Sequence, residues 1–196
     1  RIKNESLKKD EFVLTKHEIN EFLSLENKNI IRYIVYRYKY NIHPRLKVLE
    51  EYPPNIQIEP TSMCNLRCIM CYQSDKSFSS KSAGFMGFMK LETFKKIIQE
   101  AKENNCHAVT LASRGEPTLH KNFKEMMLIL KEANILDLKL NTNATVLTEE
   151  KSRQILDAKF SEVVFSVDAG TKETYESIRV LGKFERVVNN IKKFNE

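Results

Sequence analysis

The chain of 196 residues is 41% hydrophobic and 30% charged, with a formal net charge of +6, four cysteines and no tryptophan. A chain of this length buries about 70% of the surface that its unfolded form exposes, and its apolar stretches are shorter than the roughly 20 residues that a membrane span needs, so we expect one soluble, cytoplasmic globular domain without a membrane partner. Lysines and glutamates alternate instead of forming a basic stripe, which argues against nucleic acid as a partner.

Residues 1–52 are predicted to form an N-terminal helical extension without strands. Thr15 and Glu18 have the spacing of a capping box at the start of one helix. Apolar side chains between Ile30 and Val35 repeat at helical spacing in the next. We expect the extension to pack over one end of the main domain, and a role as a lid or a docking element is the alternative.

From residue 53 onwards, short strand-like runs alternate with amphipathic helical segments. The four predicted strands cover residues 55–61, 108–113, 137–143 and 162–168, and at least one predicted helix follows each. A helix between consecutive strands indicates parallel pairing, because the crossover returns the chain to the same edge of the sheet. We therefore predict an α/β fold, a partial TIM-like barrel with four parallel βα units. A complete barrel has eight such units and this sequence stops inside a predicted helix, so we expect a piece of a longer protein.

Three cysteines follow the first predicted strand within eight residues, as Cys64, Cys68 and Cys71. In a reducing compartment such thiols stay free, and thiolates select zinc or iron–sulfur clusters. Structural zinc takes four protein ligands, whereas the fourth cysteine, Cys106, is expected to be buried at the opposite end of the sheet. Three thiolates suit an iron–sulfur cubane with one iron open to an exchangeable ligand. A non-catalytic zinc or iron–sulfur binding module is the alternative.

The C-x3-C-x2-C spacing, together with RGEP at 114–117, NTN at 141–143 and SVD at 166–168, resembles the radical S-adenosylmethionine (radical SAM) family over residues 53–196. The segment after Asp168 is most similar to the branch with peptide-modifying and sulfatase-maturing (SPASM-type) members. The resemblance implies a [4Fe–4S] cluster on the three cysteines, whose unique iron binds the amino and carboxylate groups of SAM. It also implies reductive cleavage of SAM to a 5′-deoxyadenosyl radical, which abstracts hydrogen from a substrate.

The same resemblance implies roles for residues at the carboxyl ends of the predicted strands, where α/β barrels build their active sites. Gly115 and Glu116 match a segment that receives the SAM amino group, although Arg114 stands in place of the segment's first glycine. Asn143, and with it Asn141, match positions that hydrogen-bond the ribose or carboxylate of SAM. An asparagine at a strand end is also a common turn residue, and this alternative stays open.

Four further residues complete the site that the resemblance implies. Ser166 and Arg179 match residues that contact SAM, and a guanidinium is suited to gripping its carboxylate. Met70 stands where the family has an aromatic residue over adenine, and Tyr72 is expected to share that task. For Arg179 a surface salt bridge is the alternative. No catalytic acid or base is predicted.

The resemblance leaves the substrate open, since peptides, sugars and small molecules are all handled by similar cores. It implies an electron donor such as flavodoxin or ferredoxin, and its branch commonly adds a second cluster domain. Residues 72–90 are small, polar and flexible in composition, and we predict a mobile loop over the cofactor. His120 is expected to sit on the surface. An inert truncated barrel that binds a cluster without cleaving SAM is a third possibility.

Overall fold

The computed structural model describes residues 11–25, 27–112 and 114–196 of the chain. The first ten residues of the predicted extension and Ser113, the last residue of the second predicted strand, lie outside the described residues. In the part of the chain that the structure describes, every helix is too short or too polar to span a lipid bilayer.

The described strands form one parallel sheet in which each strand pairs with the next one along the chain. The strands are β1 (Asn55–Ile58), β2 (Ala108–Leu111), β3 (Asp137–Thr142) and β4 (Glu162–Phe165). The register places Ile58 beside Leu111 and Leu111 beside Leu140, so the carboxyl ends of the strands meet at one edge. The predicted α/β fold, with four parallel βα units of a partial barrel, is confirmed.

Eight α-helices are present among the described residues. They are α1 (Lys16–Ser24), α2 (Ile30–Leu46), α3 (Lys76–Ser79), α4 (Leu91–Glu103), α5 (Phe123–Ala133), α6 (Glu149–Asp157), α7 (Lys172–Ile178) and α8 (Phe184–Asn195). Short 3-10 turns cover Asn27–Asn29, Tyr72–Ser74, Lys81–Ala83 and Pro117–Leu119. The crossover helices α4, α5 and α6 cover the outer face of the sheet, as the alternation of strands and helices predicts.

The hydrophobic core lies between the sheet and these helices. In β3 the even-numbered residues are buried and the odd-numbered ones are half-buried, because successive side chains of a strand point to opposite faces. The buried set packs against fully buried side chains such as Phe94 of α4, Met126 of α5 and Ile155 of α6. Burying one such side chain contributes about 2 kcal/mol, so this outer core holds the strand ends in place.

The N-terminal extension packs at the amino ends of the strands. Thr15 caps α1 through the predicted reciprocal hydrogen bonds with Glu18. On α2, Tyr36 is buried against Ala108 and stacks on the His107 ring with centroids 5.8 Å apart. The extension therefore covers one end of the sheet, opposite the cysteine loop, while its boundary at residue 52 stays a prediction.

The inner face of the sheet carries polar side chains. A cavity of about 730 Å³ separates this face from α1 and α2, and it is lined in part by Gln57, Thr110, Lys139 and Asn141. A partial barrel thus has an apolar outer face that packs on helices and a polar inner face that opens towards the strand ends.

Candidate functional site

A cavity of about 500 Å³ lies at the carboxyl ends of the strands. Its lining includes all ten residues for which the sequence predicted metal or cofactor binding, namely Cys64, Cys68, Cys71, Met70, Tyr72, Gly115, Glu116, Asn143, Ser166 and Arg179. These residues are dispersed over more than half of the chain. The parallel sheet brings them together because each one follows, or lies close after, the carboxyl end of a strand.

The cysteine loop presents three free thiols to this cavity. Cys68 is buried, whereas Cys64 and Cys71 are half-buried. The loop folds back through a hydrogen bond from the Cys71 N–H to the Cys68 carbonyl at 2.9 Å, and the Leu66 N–H donates to the Cys64 sulfur at 3.4 Å. The first hydrogen bond fixes the backbone of the loop, and the second fixes the position of the Cys64 sulfur.

Cys106 lies far from this loop, as predicted. Its buried thiol is at the amino end of β2, 3.3 Å from the carbonyl oxygen of Pro53. The described residues of the cavity therefore offer three sulfur ligands, and the fourth cysteine of the chain cannot reach them.

The spacing of the three sulfurs tests which metal centre they fit. In the described ranges, the only three candidate ligand atoms that all lie within 4.8 Å of one another belong to His17, Glu21 and Glu162, at the amino ends of the strands. The three thiols do not all lie within 4.8 Å of one another in the described ranges, whereas sulfurs bound at about 2.3 Å to a single zinc ion lie about 3.8 Å apart. A polynuclear cluster allows wider spacing, because each cysteine binds a different iron, and the donor set fits such a cluster.

The other candidate ligand group is occupied by protein partners. The Glu162 carboxylate forms an ion pair with Lys139 at 2.7 Å, and Glu21 accepts a hydrogen bond from the Tyr33 hydroxyl at 2.5 Å. His17 lies 3.7 Å from Glu162 and so ties α1 to β4. This group is therefore a packing contact between the extension and the sheet.

Burial raises the pKa of the Cys64 thiol above its ordinary value. The Leu66 N–H opposes this effect, whereas the nearby Glu116 carboxylate and the other two thiols add to it. Since the thiolate is the metal ligand, iron uptake at neutral pH must displace a proton from Cys64. Loading is accordingly favoured on the alkaline side of neutrality.

Gly115 lies in close contact with the backbone of the cysteine loop. A Cβ atom at this position would stand 1.9 Å from the Thr61 carbonyl oxygen and 2.7 Å from that of Met63. The next N–H, from Glu116, donates to the Met63 carbonyl at 2.9 Å. Glycine is required here by the approach of two protein loops.

The Glu116 carboxylate is buried and is engaged by protein donors. One oxygen accepts hydrogen bonds from the Thr118 N–H at 3.1 Å, the Thr118 hydroxyl at 2.5 Å and the Thr142 hydroxyl at 2.7 Å. The other accepts from the Asn143 N–H at 2.6 Å. Glu116 thus fastens the loop after β2 to the end of β3, a role that the sequence did not suggest. Its contact with SAM stays a prediction.

We expect Glu116→Gln to lower the free energy of unfolding of the metal-free protein by about 2 kcal/mol. A carboxamide offers one acceptor oxygen, so its NH2 group would face either the Thr118 N–H or the Asn143 N–H, which would then have no acceptor. Urea unfolding measures the change. The control is Glu149→Gln, whose side chain is 74% exposed and whose replacement is expected to change stability by less than about 0.5 kcal/mol. Equal losses in the two variants would contradict this role of Glu116.

Asn143 connects β3 to the cysteine loop. Its side-chain nitrogen donates to the Asn65 side-chain oxygen at 3.0 Å and lies 3.8 Å from the Cys64 sulfur. Its side-chain oxygen accepts from the Thr145 hydroxyl, which also accepts from Asn65. The sequence prediction omitted Asn65, although its position directly after the first cysteine was a usable signal. On the same rim, the side-chain oxygen of Asn141 is buried without a hydrogen-bond partner.

Arg179 reaches the cysteine loop from the end of α7. Its guanidinium lies 2.5 Å from an Asp168 carboxylate oxygen and 3.5 Å from the Cys68 sulfur. The Arg179 side chain is 15% exposed and that of Asp168 is 38% exposed, so the salt bridge of the alternative is present at the cavity, and contact of Arg179 with SAM stays a prediction. Ser166 and Asp168 follow the end of β4 and both line the cavity.

The mouth of the cavity is formed by the exposed side chains of Met70 and Tyr72. The residue after them, Gln73, is buried and donates hydrogen bonds to the carbonyls of Ser62 and Arg114. Gln73 therefore ties the cysteine loop to the loop after β2. Sequence reasoning missed this residue, because an isolated glutamine carries no local signal of burial.

Residues 72–90 contain short helical turns and aromatic contacts. The Tyr72 ring meets the Phe78 ring edge-on with centroids 4.8 Å apart, and Phe78 stacks on Phe85 at 5.3 Å. Phe88 pairs with Thr61 in an isolated antiparallel bridge. The predicted mobility of this segment stays a prediction, and its contacts anchor it beside the cavity.

His120 is buried, so its predicted surface position is wrong. Its ring nitrogens bond the Met89 carbonyl at 2.9 Å and the Asn122 N–H at 3.0 Å. Burial lowers the pKa of the ring below its ordinary value. The neutral imidazole joins the segment before α4 to the start of α5, a contact between distant segments that the local sequence does not reveal.

Comparison with known proteins identifies the family of the chain. Residues 58–196 match the Radical SAM superfamily. The chain is 30% identical over 139 residues to the probable GTP 3′,8-cyclase of Methanocaldococcus jannaschii, covering 71% of this chain and 44% of that protein. It is 31% identical over 114 residues to the tungsten-containing aldehyde ferredoxin oxidoreductase cofactor-modifying protein of Pyrococcus furiosus, covering 58% and 30%. The chain thus spans less than half the length of these curated relatives.

Two solved structures show related folds. Streptococcus suis SuiB bound to the precursor peptide SuiA aligns with a TM-score of 0.62 at 18% identity, over 90% of this chain and 40% of that one. Native anSMEcpe with bound AdoMet aligns with a TM-score of 0.58 at 25% identity, over 72% and 40%. With the family match, these likenesses lead to one conclusion: the chain belongs to the radical SAM superfamily of enzymes, which use an iron–sulfur cluster and S-adenosylmethionine.

Proposed function

We propose that residues 53–196 form the core of a radical SAM enzyme in which Cys64, Cys68 and Cys71 ligate three irons of a [4Fe–4S] cluster. SAM would bind in the same cavity and occupy the open coordination position of the fourth iron. The observation that carries the proposal is the set of three free thiols in one cavity at the carboxyl ends of the strands, together with the polar side chains that line the same cavity.

The chain's own residues supply binding and orientation. We expect Arg179 to pair with the carboxylate of SAM and Ser166 to contact SAM, and the Asn141 side chain lines the same cavity. Met70 and Tyr72, at the mouth, are placed to cover an adenine ring and exclude water. Glu116 and Asn143 act mainly by connecting the loop after β2, the end of β3 and the cysteine loop through hydrogen bonds.

A cluster held by Cys64, Cys68 and Cys71 would supply the electron that cleaves SAM into methionine and a 5′-deoxyadenosyl radical, which would abstract hydrogen from a substrate. The electron would come from a donor such as flavodoxin or ferredoxin. The class of substrate stays open between peptides, sugars and small molecules. The named relatives act on chemically different partners, and the likeness to the peptide-bound SuiB structure is a likeness of fold.

Anaerobic reconstitution tests the proposal. We expect about four irons and four sulfides per chain, an electron paramagnetic resonance spectrum that SAM alters, and 5′-deoxyadenosine after addition of dithionite. Loading at about pH 8 favours the Cys64 thiolate. A colourless protein with one zinc ion would support the binding-module alternative, and a full cluster without SAM cleavage would identify an inert core; either result would contradict the proposal.

A further inference from the structure

The Arg179 guanidinium lies between a cluster ligand and a carboxylate. One terminal nitrogen donates to the Cys68 sulfur at 3.5 Å, and the other forms the ion pair with Asp168 at 2.5 Å. Among the described residues, Cys68 accepts a hydrogen bond from a charged side chain, whereas the donors to Cys64 are a backbone N–H and a neutral amide. The positive guanidinium is therefore next to the Cys68 sulfur, and the negative Asp168 carboxylate is on the other side of the guanidinium.

The backbone holds this guanidinium in place on both sides of Arg179. The N–H groups of Arg67 and Ile69, in the cysteine loop, donate to the carbonyls of Val180 and Ile178, each at 3.0 Å. The Arg179 N–H donates to the Tyr175 carbonyl at 2.7 Å. The segment that carries Arg179 is thus paired with the loop that carries Cys68, so their contact does not depend on a freely rotating surface side chain.

Arg179 keeps its charge in this position. A guanidinium stays protonated in proteins, and the Asp168 carboxylate pairs with this one at 2.5 Å. A cation close to a ligating sulfur stabilises the more negative, reduced state of a cluster, and a nearby anion does the opposite. Hydrogen bonds to the sulfurs and net charge are established determinants of iron–sulfur potentials.

We infer that Arg179 raises and Asp168 lowers the reduction potential of the cluster that Cys64, Cys68 and Cys71 hold. Arg179 acts through Cys68 and is in this respect a positioning residue with an electrostatic effect, in addition to any contact with SAM. The inference rests on the proposed function, because it requires a cluster on these cysteines.

The test is a redox titration of the reconstituted cluster without SAM, followed by electron paramagnetic resonance. At a fixed applied potential, Arg179→Gln is expected to decrease the ratio of reduced to oxidised cluster about tenfold, which for one electron is a shift of about 59 mV. Asp168→Asn is expected to increase the ratio by a similar factor. Arg179→Lys keeps the charge and should lie between wild type and Arg179→Gln.

The control is Arg153→Gln, which removes a side chain that is 74% exposed on α6 and should leave the ratio unchanged. Opposite shifts in the Arg179→Gln and Asp168→Asn variants support the inference, since loosening of the site would shift both in one direction. Unchanged ratios, or shifts of the same sign, in fully loaded variants would overturn it. If Arg179→Gln takes up no cluster, the direction in which Arg179→Lys and Asp168→Asn change the ratio of reduced to oxidised cluster tests the inference. A wild-type protein without iron would instead refute the proposed function, and the iron count distinguishes the two failures.

Discussion

Replacing Cys68 by alanine is expected to abolish cluster binding and SAM cleavage. Cys68 is the most buried of the three thiols, at 6% exposure, and it lies at the centre of the cysteine loop with Arg179 beside it. Three described thiols line the cavity, so the loss of one would leave an iron of the proposed cluster without its cysteine ligand. Iron and sulfide content and the yield of 5′-deoxyadenosine measure the result.

Cys106→Ala provides a matched control for this experiment. Cys106 is equally buried, at 3% exposure, but it lies at the amino end of β2 beside Pro53. The two substitutions remove the same atoms from buried positions, so any difference in cluster content reflects ligation and not packing. Normal iron content in Cys68→Ala, or loss of iron in Cys106→Ala, would show that the ligands have been assigned wrongly.

Gly115→Ala is expected to destabilise the protein by at least about 3 kcal/mol and to prevent cluster assembly. The added methyl group would stand 1.9 Å from the Thr61 carbonyl oxygen, far inside any allowed contact. The methyl group is attached directly to the Cα atom and the carbonyl belongs to the backbone, so the loop after β2 must move away from the loop that leads to Cys64. The Glu116 N–H would then lose the Met63 carbonyl as its acceptor.

Urea unfolding of the metal-free protein and iron content after reconstitution measure these two effects of Gly115→Ala. Gly170→Ala is the control, because a Cβ at Gly170 has no atom within 4 Å. There, alanine mainly restricts the unfolded chain, and we expect a change of less than about 1 kcal/mol. If Gly115→Ala were as stable as Gly170→Ala and held a full cluster, the close contact between the two loops would not be required.

Most of the fold was predictable from the sequence because its signals are local. The alternation of strands and crossover helices indicated a parallel sheet, and Thr15 and Glu18 marked the start of α1. The burial of His120 was not predictable in this way, because it depends on Met89, which lies 31 residues away. The same holds for Gln73, whose partner Arg114 is 41 residues away.

The sequence by itself determined that three thiols lie close together in this protein. Cys64, Cys68 and Cys71 fall within eight residues after the first strand, so their proximity does not depend on the rest of the chain. It also determined that the loops carrying Gly115, Asn143 and Ser166 meet at one edge, because parallel strands joined by crossovers all end on the same side.

Only the tertiary structure decided which partners these side chains have. The Glu116 carboxylate accepts hydrogen bonds from Thr142 and Asn143, which are 26 and 27 residues away in the sequence. Arg179 contacts Cys68, from which it is separated by 111 residues. Such contacts depend on strand register and on the packing of loops at the rim. The physical reason is that a hydrogen bond requires its two atoms to lie about 3 Å apart. The spacing of residues along the chain does not determine distances between remote segments that closely.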